Sequence, residues 1–207
     1  MTHLASPRWR GLIEAGPGPH PVQTMERCEL CSEPLATEHR HVLERSERQL
    51  LCACRACALL FTNSAAGGGL YRLVPERRVH LDDFRLDDLG WRSLRIPVEM
   101  AYFVRSDDRA RVTAFYPSPA GATESLLALD AWSEIERDNP VLREMEPEVE
   151  GLLVNRVDGA RDVWLAGLDT CFRLIAVVRT HWSGLSGGRA VWTEVRRFFD
   201  ELTPARR

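Results

Sequence analysis

Apolar and polar positions alternate with period two in several short runs, the pattern of half-buried strands. Residues 39–43 and 49–52 are two such runs, joined by the charged turn 44–48. Residues 96–104 and 110–116 predict a hairpin turned at Ser106 to Arg109 and ended by Pro117 and Pro119, with a further strand at 124–129. Residues 149–157 and 162–165 predict a second hairpin across Asp158-Gly159, a dipeptide that accepts the positive φ of a tight turn. Residues 70–74 read as a lone short strand, and the stretch around Asp82-Asp83 and Asp87-Asp88 as irregular.

Helical spacing takes over elsewhere. Asp130 is placed to cap a helix that runs to about residue 137 and is broken by Asn139-Pro140. Behind Asp169, the residues Leu168, Phe172, Ile175, Val178 and Trp182 recur at helical spacing. Val191, Trp192, Val195, Phe198, Phe199 and Leu202 line one side of a last helix. A glycine-rich turn at 183–188 separates these two helices, and no internal repeat is visible.

These patterns divide the chain. Residues 1–24, rich in proline and glycine, predict a disordered tail, within which Trp9 to Ile13 could dock elsewhere. Residues 25–62 form a zinc-ribbon-like metal-binding module, 63–69 a linker, and 70–207 an α+β domain. The expected fold class is therefore α+β: a small four-cysteine zinc-ribbon module followed by a mixed antiparallel-sheet and helix domain. With 207 residues and 44% hydrophobic content the chain can bury a substantial core.

Candidate chemistry concentrates in the small module. Cys28 and Cys31 form one Cys-x-x-Cys pair and Cys54 and Cys57 another, with 22 residues between the pairs. A two-residue gap lets both thiolates of a tight turn reach one ion, and a second turn completes a tetrahedron with Zn–S bonds of about 2.3 Å. Cys52 is a surplus thiol that could replace Cys54 or point into the small core. His39 and His41 could also offer a ligand, but their alternation along one strand face reads as surface polarity. Ser32 and Ala58 stand where zinc knuckles usually carry glycine. Four thiolates close the coordination sphere, so structural zinc is expected; a rubredoxin-like iron or an iron–sulfur cluster uses the same ligands and is the alternative.

Charge and composition narrow the function. The net charge is −3, and all 27 basic residues are arginine, which excludes Schiff-base and P-loop lysine chemistry. Glu26 to Cys57 holds six glutamates, five arginines and no Phe, Tyr or Trp, so neither requirement for nucleic-acid binding is met and a protein contact is expected instead. No stretch approaches the roughly 20 apolar residues of a membrane span. Clustered cysteines without a signal-peptide pattern predict a reducing cytoplasm.

A second candidate lies near the end of the chain. Arg179, His181, Trp182, Ser186, Gly187, Gly188 and Arg189 surround a helix–turn–helix connection. Backbone N–H groups there could hold an anion, with Arg179 or Arg189 as counter-charge and His181 as proton donor. The simpler reading is a structural connection, with Ser186 capping the second helix and Trp182 in the core. Cys171 falls near the apolar register as a small buried side chain. No ordered nucleophile–base group is found, so an enzyme is the least favoured class.

The phrases Cys28-Glu-Leu-Cys31, Leu51-Cys-Ala-Cys-Arg-Ala-Cys-Ala-Leu-Leu-Phe61 and His181-Trp-Ser-Gly-Leu-Ser-Gly-Gly188, followed by Phe198-Phe199, resemble an uncharacterised actinobacterial-type family. The resemblance spans about residues 26–202. Genes of that family tend to lie beside those of high-affinity nickel–iron uptake hydrogenases. The resemblance thus implies an accessory role in hydrogenase assembly or electron transfer, with the hydrogenase or its maturation machinery as partner. It carries over no catalytic residue.

Overall fold

The computed structural model describes residues 26–107, 111–125, 129–184 and 187–202. The tail at 1–24, Asp108 and Arg109 of the first hairpin turn, residues 126–128 of the strand expected after it, and Ser186 lie outside them.

Three strands form a small antiparallel sheet: β1 (Arg40–Glu44), β2 (Gln49–Ala53) and β3 (Tyr71–Leu73), in the order β2-β1-β3. A short helix α1 (Arg55–Leu60) follows β2 directly. The glycine-rich stretch ends in a 3-10 turn (Ala66–Gly69) that hands the chain to β3, so the small sheet draws strands from both sides of it.

The larger sheet has six antiparallel strands. They are β4 (Arg78–His80), β5 (Met100–Arg105), β6 (Val112–Ser118), β7 (Gly121–Ser125), β8 (Glu150–Asn155) and β9 (Asp162–Gly167), in the order β4-β9-β8-β5-β6-β7. The helices are α2 (Asp88–Ser93), α3 (Leu129–Asp138), α4 (Leu168–His181) and α5 (Gly188–Leu202). The molecule is thus α+β with antiparallel sheets.

Side chains alternate across the large sheet into two cores. Met100, Tyr102, Leu153 and Trp164 face α4 and α5, meeting Leu174, Val178, Val195 and Phe198. Ala101, Phe103, Leu152, Val154 and Leu165 face the other way, against Trp91, Trp132, Ile135 and Leu142 around α2 and α3. Both faces are covered, which is why β5 and β8 are nearly continuous apolar runs. Gly151 on β8 is where α4 comes closest: a Cβ there would sit 2.7 Å from the Cys171 sulfur. Cys171 is fully buried, as expected, and burial pushes its thiol pKa up.

Both hairpins form, the first pairing Tyr102 with Phe115 and the second Leu153 with Trp164. Asn139 ends α3 and is itself buried, its amide bonded to the backbone of Arg85 and Ile135.

Several expectations need correction. Pro117 lies inside β6 rather than ending it, because β5 pairs no further than Phe115 and the missing proline N–H faces no neighbour strand there. Asp130 lies within α3, not before it. Phe172, expected in the core, is 37% exposed; the buried stripe of α4 runs through Leu168, Cys171, Leu174, Ile175 and Val178. The acidic stretch at 82–87 is irregular, as expected, but it is bounded by two short elements that were not expected, β4 before it and α2 after it. The latter is capped by Asp87, whose Oδ1 accepts from Gly90 N–H at 2.7 Å.

The small sheet is fastened to the rest by apolar contact and by arginine forks. Leu43 and Val74 join the core beneath α4 and α5. The Arg45 guanidinium donates to Glu148 at 2.7 Å, to Asp107 at 2.8 Å and to the Gly69 carbonyl at 2.9 Å. Arg77, itself about one-third exposed, reaches in to hold the fully buried Glu150 through two bonds of 2.8 Å.

Candidate metal centre

The first cysteine pair sits on a tight loop closed by backbone bonds. Cys28 N–H donates to Glu33 O at 2.8 Å, Ser32 N–H to Cys28 O at 2.7 Å, and Leu35 N–H to Glu26 O at 2.8 Å. Ser32 adopts φ 65°, the left-handed conformation for which knuckles normally use glycine. The serine is thus accommodated rather than the turn being reshaped. Ala58 needs no glycine because the second pair opens a helix instead. Cys54 is the N-cap of α1, and its sulfur accepts from Cys57 N–H at 3.4 Å. A bond of 2.9 Å from Glu29 N–H to Cys52 O holds the loop against β2.

These two local structures bring the sulfurs of Cys28, Cys31, Cys54 and Cys57 within 4.8 Å of one another. The Cys31 and Cys54 sulfurs are 3.7 Å apart. That matches the edge of a tetrahedron built on Zn–S bonds of about 2.3 Å, which is about 3.8 Å, and far exceeds a disulfide bond. All four thiols are free. Burial raises the Cys28 pKa, but backbone hydrogen bonds from Cys54, Leu30 and Cys31 outweigh it and bring the thiol to about 6. Hydrogen bonding to Cys31, with burial, pushes Cys57 up to about 12. Cys28 is thus the readier of the two to ionise, and a cation would displace the proton that Cys57 holds more tightly. The donor set fits a metal ion, and the cluster could hold one.

Cys52 does not join that group. It pairs with His41 across the hairpin, and its sulfur gathers with His39 and His41, all three ligand atoms within 4.8 Å. The two histidines are not the surface polar residues expected from their alternation. The His39 side chain is only 10% exposed, and His41 lies 3.2 Å from Asp169 at the start of α4. Cross-strand register, counted through the turn at 44–48, was the signal for this grouping. Asp169 gave none.

The second sequence candidate is spread over one connection. Arg179 and Arg189 are exposed. His181 Nδ1 donates to Val177 O at 3.0 Å, and Trp182 Nε1 donates to Gly184 O at 2.9 Å. Trp182 packs edge-on to Trp192 at 6.2 Å. Ser183 N–H donates to Gly187 O at 3.1 Å, so the turn engages its own polar groups. Gly187 has φ 88°, and a Cβ there would meet Val191 at 2.9 Å. Gly187→Ala is therefore expected to lower stability by about 1–3 kcal/mol in chemical denaturation, from backbone strain and overpacking. His181→Ala should leave the melting temperature within a few degrees and partner binding unchanged; a folded His181→Ala protein that has lost function would overturn this structural account.

Among the described residues no helix is long and apolar enough to cross a membrane. No curated protein and no solved structure matches the chain. A family model does match, over residues 27–206 and so including both cysteine pairs, and the chain belongs to that family, DUF5947, a family of unknown function.

Proposed function

We propose that the protein is a metal-binding accessory protein whose tetracysteine cluster holds a structural Zn²⁺, and that the module organised by this ion contacts a partner protein. The observation that carries the reading is the mutual approach of four sulfurs within 4.8 Å on two separate turns. Four thiolates complete a tetrahedron and leave no position for water or substrate, which suits a structural role. The module has little core of its own to replace that ion: Leu43 faces the larger core, and the small cluster is Val42, Ala53 and Ala58 with Leu30, Phe61, Tyr71 and Leu73 half-buried around them.

A contact role is supported by the surface beside the cluster. Leu59 and Leu60 of α1, the helix that carries Cys57, are 60% and 64% exposed. Between Glu26 and Cys57 glutamates outnumber arginines six to five and no Phe, Tyr or Trp is present, which disfavours nucleic acid as the partner of the cluster. The partner we favour, a nickel–iron hydrogenase or its maturation machinery, rests on the family resemblance. An open cleft of about 680 Å³ lies elsewhere, around His80, Asp82, Asp83, Arg85 and Asn139. No serine, threonine or cysteine lines it, so it offers no hydroxyl or thiol nucleophile.

Elemental analysis of protein purified without oxygen tests the reading. One zinc per chain that survives dialysis against a mild chelator, in a colourless protein, is expected. Iron in that position, with the visible absorption of ferric thiolate or a cluster, would replace the structural reading with a redox one.

A further inference from the structure

We propose that His39, His41 and Cys52 form a second metal site, distinct from the tetracysteine cluster, that binds an exchangeable transition-metal dication of the Zn²⁺ class. The three ligand atoms lie within 4.8 Å of one another, on one face of the β1–β2 hairpin. Proximity alone would not suffice, but His39 Nε2 is buried without a hydrogen-bond partner, and its side chain is only 10% exposed.

The His39 ring is held in place. Its Nδ1 lies 3.0 Å from the Ala36 carbonyl, which makes Nδ1 the donor and leaves the Nε2 lone pair free. A backbone carbonyl on the far nitrogen is the usual outer support of a metal-bound histidine. His41 Nδ1 stands 3.2 Å from Asp169 Oδ2, so a carboxylate already provides negative charge beside the cluster and orients the second ring. The two rings are tilted by 50° with centroids 4.8 Å apart, an arrangement that converges rather than stacks. A cation would give the orphaned His39 nitrogen the partner it lacks.

The ligand set defines the ion. Two imidazoles and a thiolate suit zinc and its neighbours, whereas Ca²⁺ and Mg²⁺ require oxygen ligands. Three protein ligands leave a fourth position open, in contrast to the closed tetracysteine cluster. An ion there can exchange, or accept a ligand from outside the chain.

The test is a zinc titration of the full-length protein against a chromophoric chelator, for the wild type, His39→Gln and Cys52→Ser. The wild type is expected to take up a second, weaker equivalent. Each variant should lose that equivalent and keep the first, which on Co²⁺ substitution should show the strong charge-transfer bands of four thiolates. A wild type that saturates at one equivalent, or a second equivalent that survives in His39→Gln, would overturn the proposal. If Cys52→Ser fails to fold, as judged by circular dichroism, His39→Gln decides alone. The two metal readings fail separately, because the first equivalent is read from the four-thiolate Co²⁺ bands and the second from its own weaker step, which His39→Gln removes while leaving all four clustered cysteines in place.

Discussion

Cys57→Ser is expected to release the tightly held metal and to melt the three-stranded sheet, while the six-stranded sheet stays folded at a lowered melting temperature. Cys31→Ser should behave alike. Zinc contributes on the order of 10–16 kcal/mol to the folding of small modules of this kind. Against that loss stand three small buried residues, Val42, Ala53 and Ala58, each worth at most about 1.5–3 kcal/mol, and the half-buried Leu30, Phe61, Tyr71 and Leu73, which contribute less than full burial would. Ordering each residue costs about 1–2 kcal/mol, so the module cannot hold its shape on that core. The large sheet keeps both of its cores but loses Leu43 and Val74 from one of them. Metal analysis, and limited proteolysis between residues 26 and 74, would report the outcome. A Cys57→Ser protein that retains one zinc and resists cleavage would dismiss the tetracysteine site.

The second large effect lies within the sheet itself. Arg77→Ala should destabilise the protein by about 3–5 kcal/mol, because it leaves the Glu150 carboxylate buried without its counter-charge. Glu150 is 0% exposed and also accepts from Glu146 N–H at 2.8 Å, so it cannot swing out to water without breaking the local backbone. Arg77→Lys should recover only part of the loss, since an ammonium cannot reproduce the two parallel bonds of a guanidinium. The double change Arg77→Met with Glu150→Gln should lie well above Arg77→Ala in stability, because no charge is then stranded. Urea denaturation of the variants measures all three. A loss below about 1 kcal/mol for Arg77→Ala would show that solvent reaches the carboxylate.

Both hairpins of the large sheet were legible in the chain because period-two alternation and the Asp158-Gly159 turn are local signals. Asp158 and Gly159 do take positive φ, 55° and 80°. What escaped was short or non-local. β4 has three residues, too few for any period to register, and it exists only because β9 offers an edge. α2 has six residues, too few for a helical period to register, and its only local signal is the cap Asp87. The tetracysteine cluster was legible for the same reason as the hairpins, since each pair is its own turn. The surroundings of Cys52 were half legible. Its partner His41 follows from strand register, but Asp169 approaches only because α4 passes the small sheet, and no local pattern encodes that passage.

The Arg45 fork has a consequence for the order of folding. The metal ligands of the tetracysteine cluster all lie between residues 28 and 57, so a nascent chain completes them early and closes only short loops to gather them. Arg45 instead meets Asp107 and Glu148, 62 and 103 residues further along, and those partners stand in place only once the large sheet has assembled. Capture of the proposed ion could therefore precede docking, leaving a loaded small module to wait for the rest of the chain to arrive.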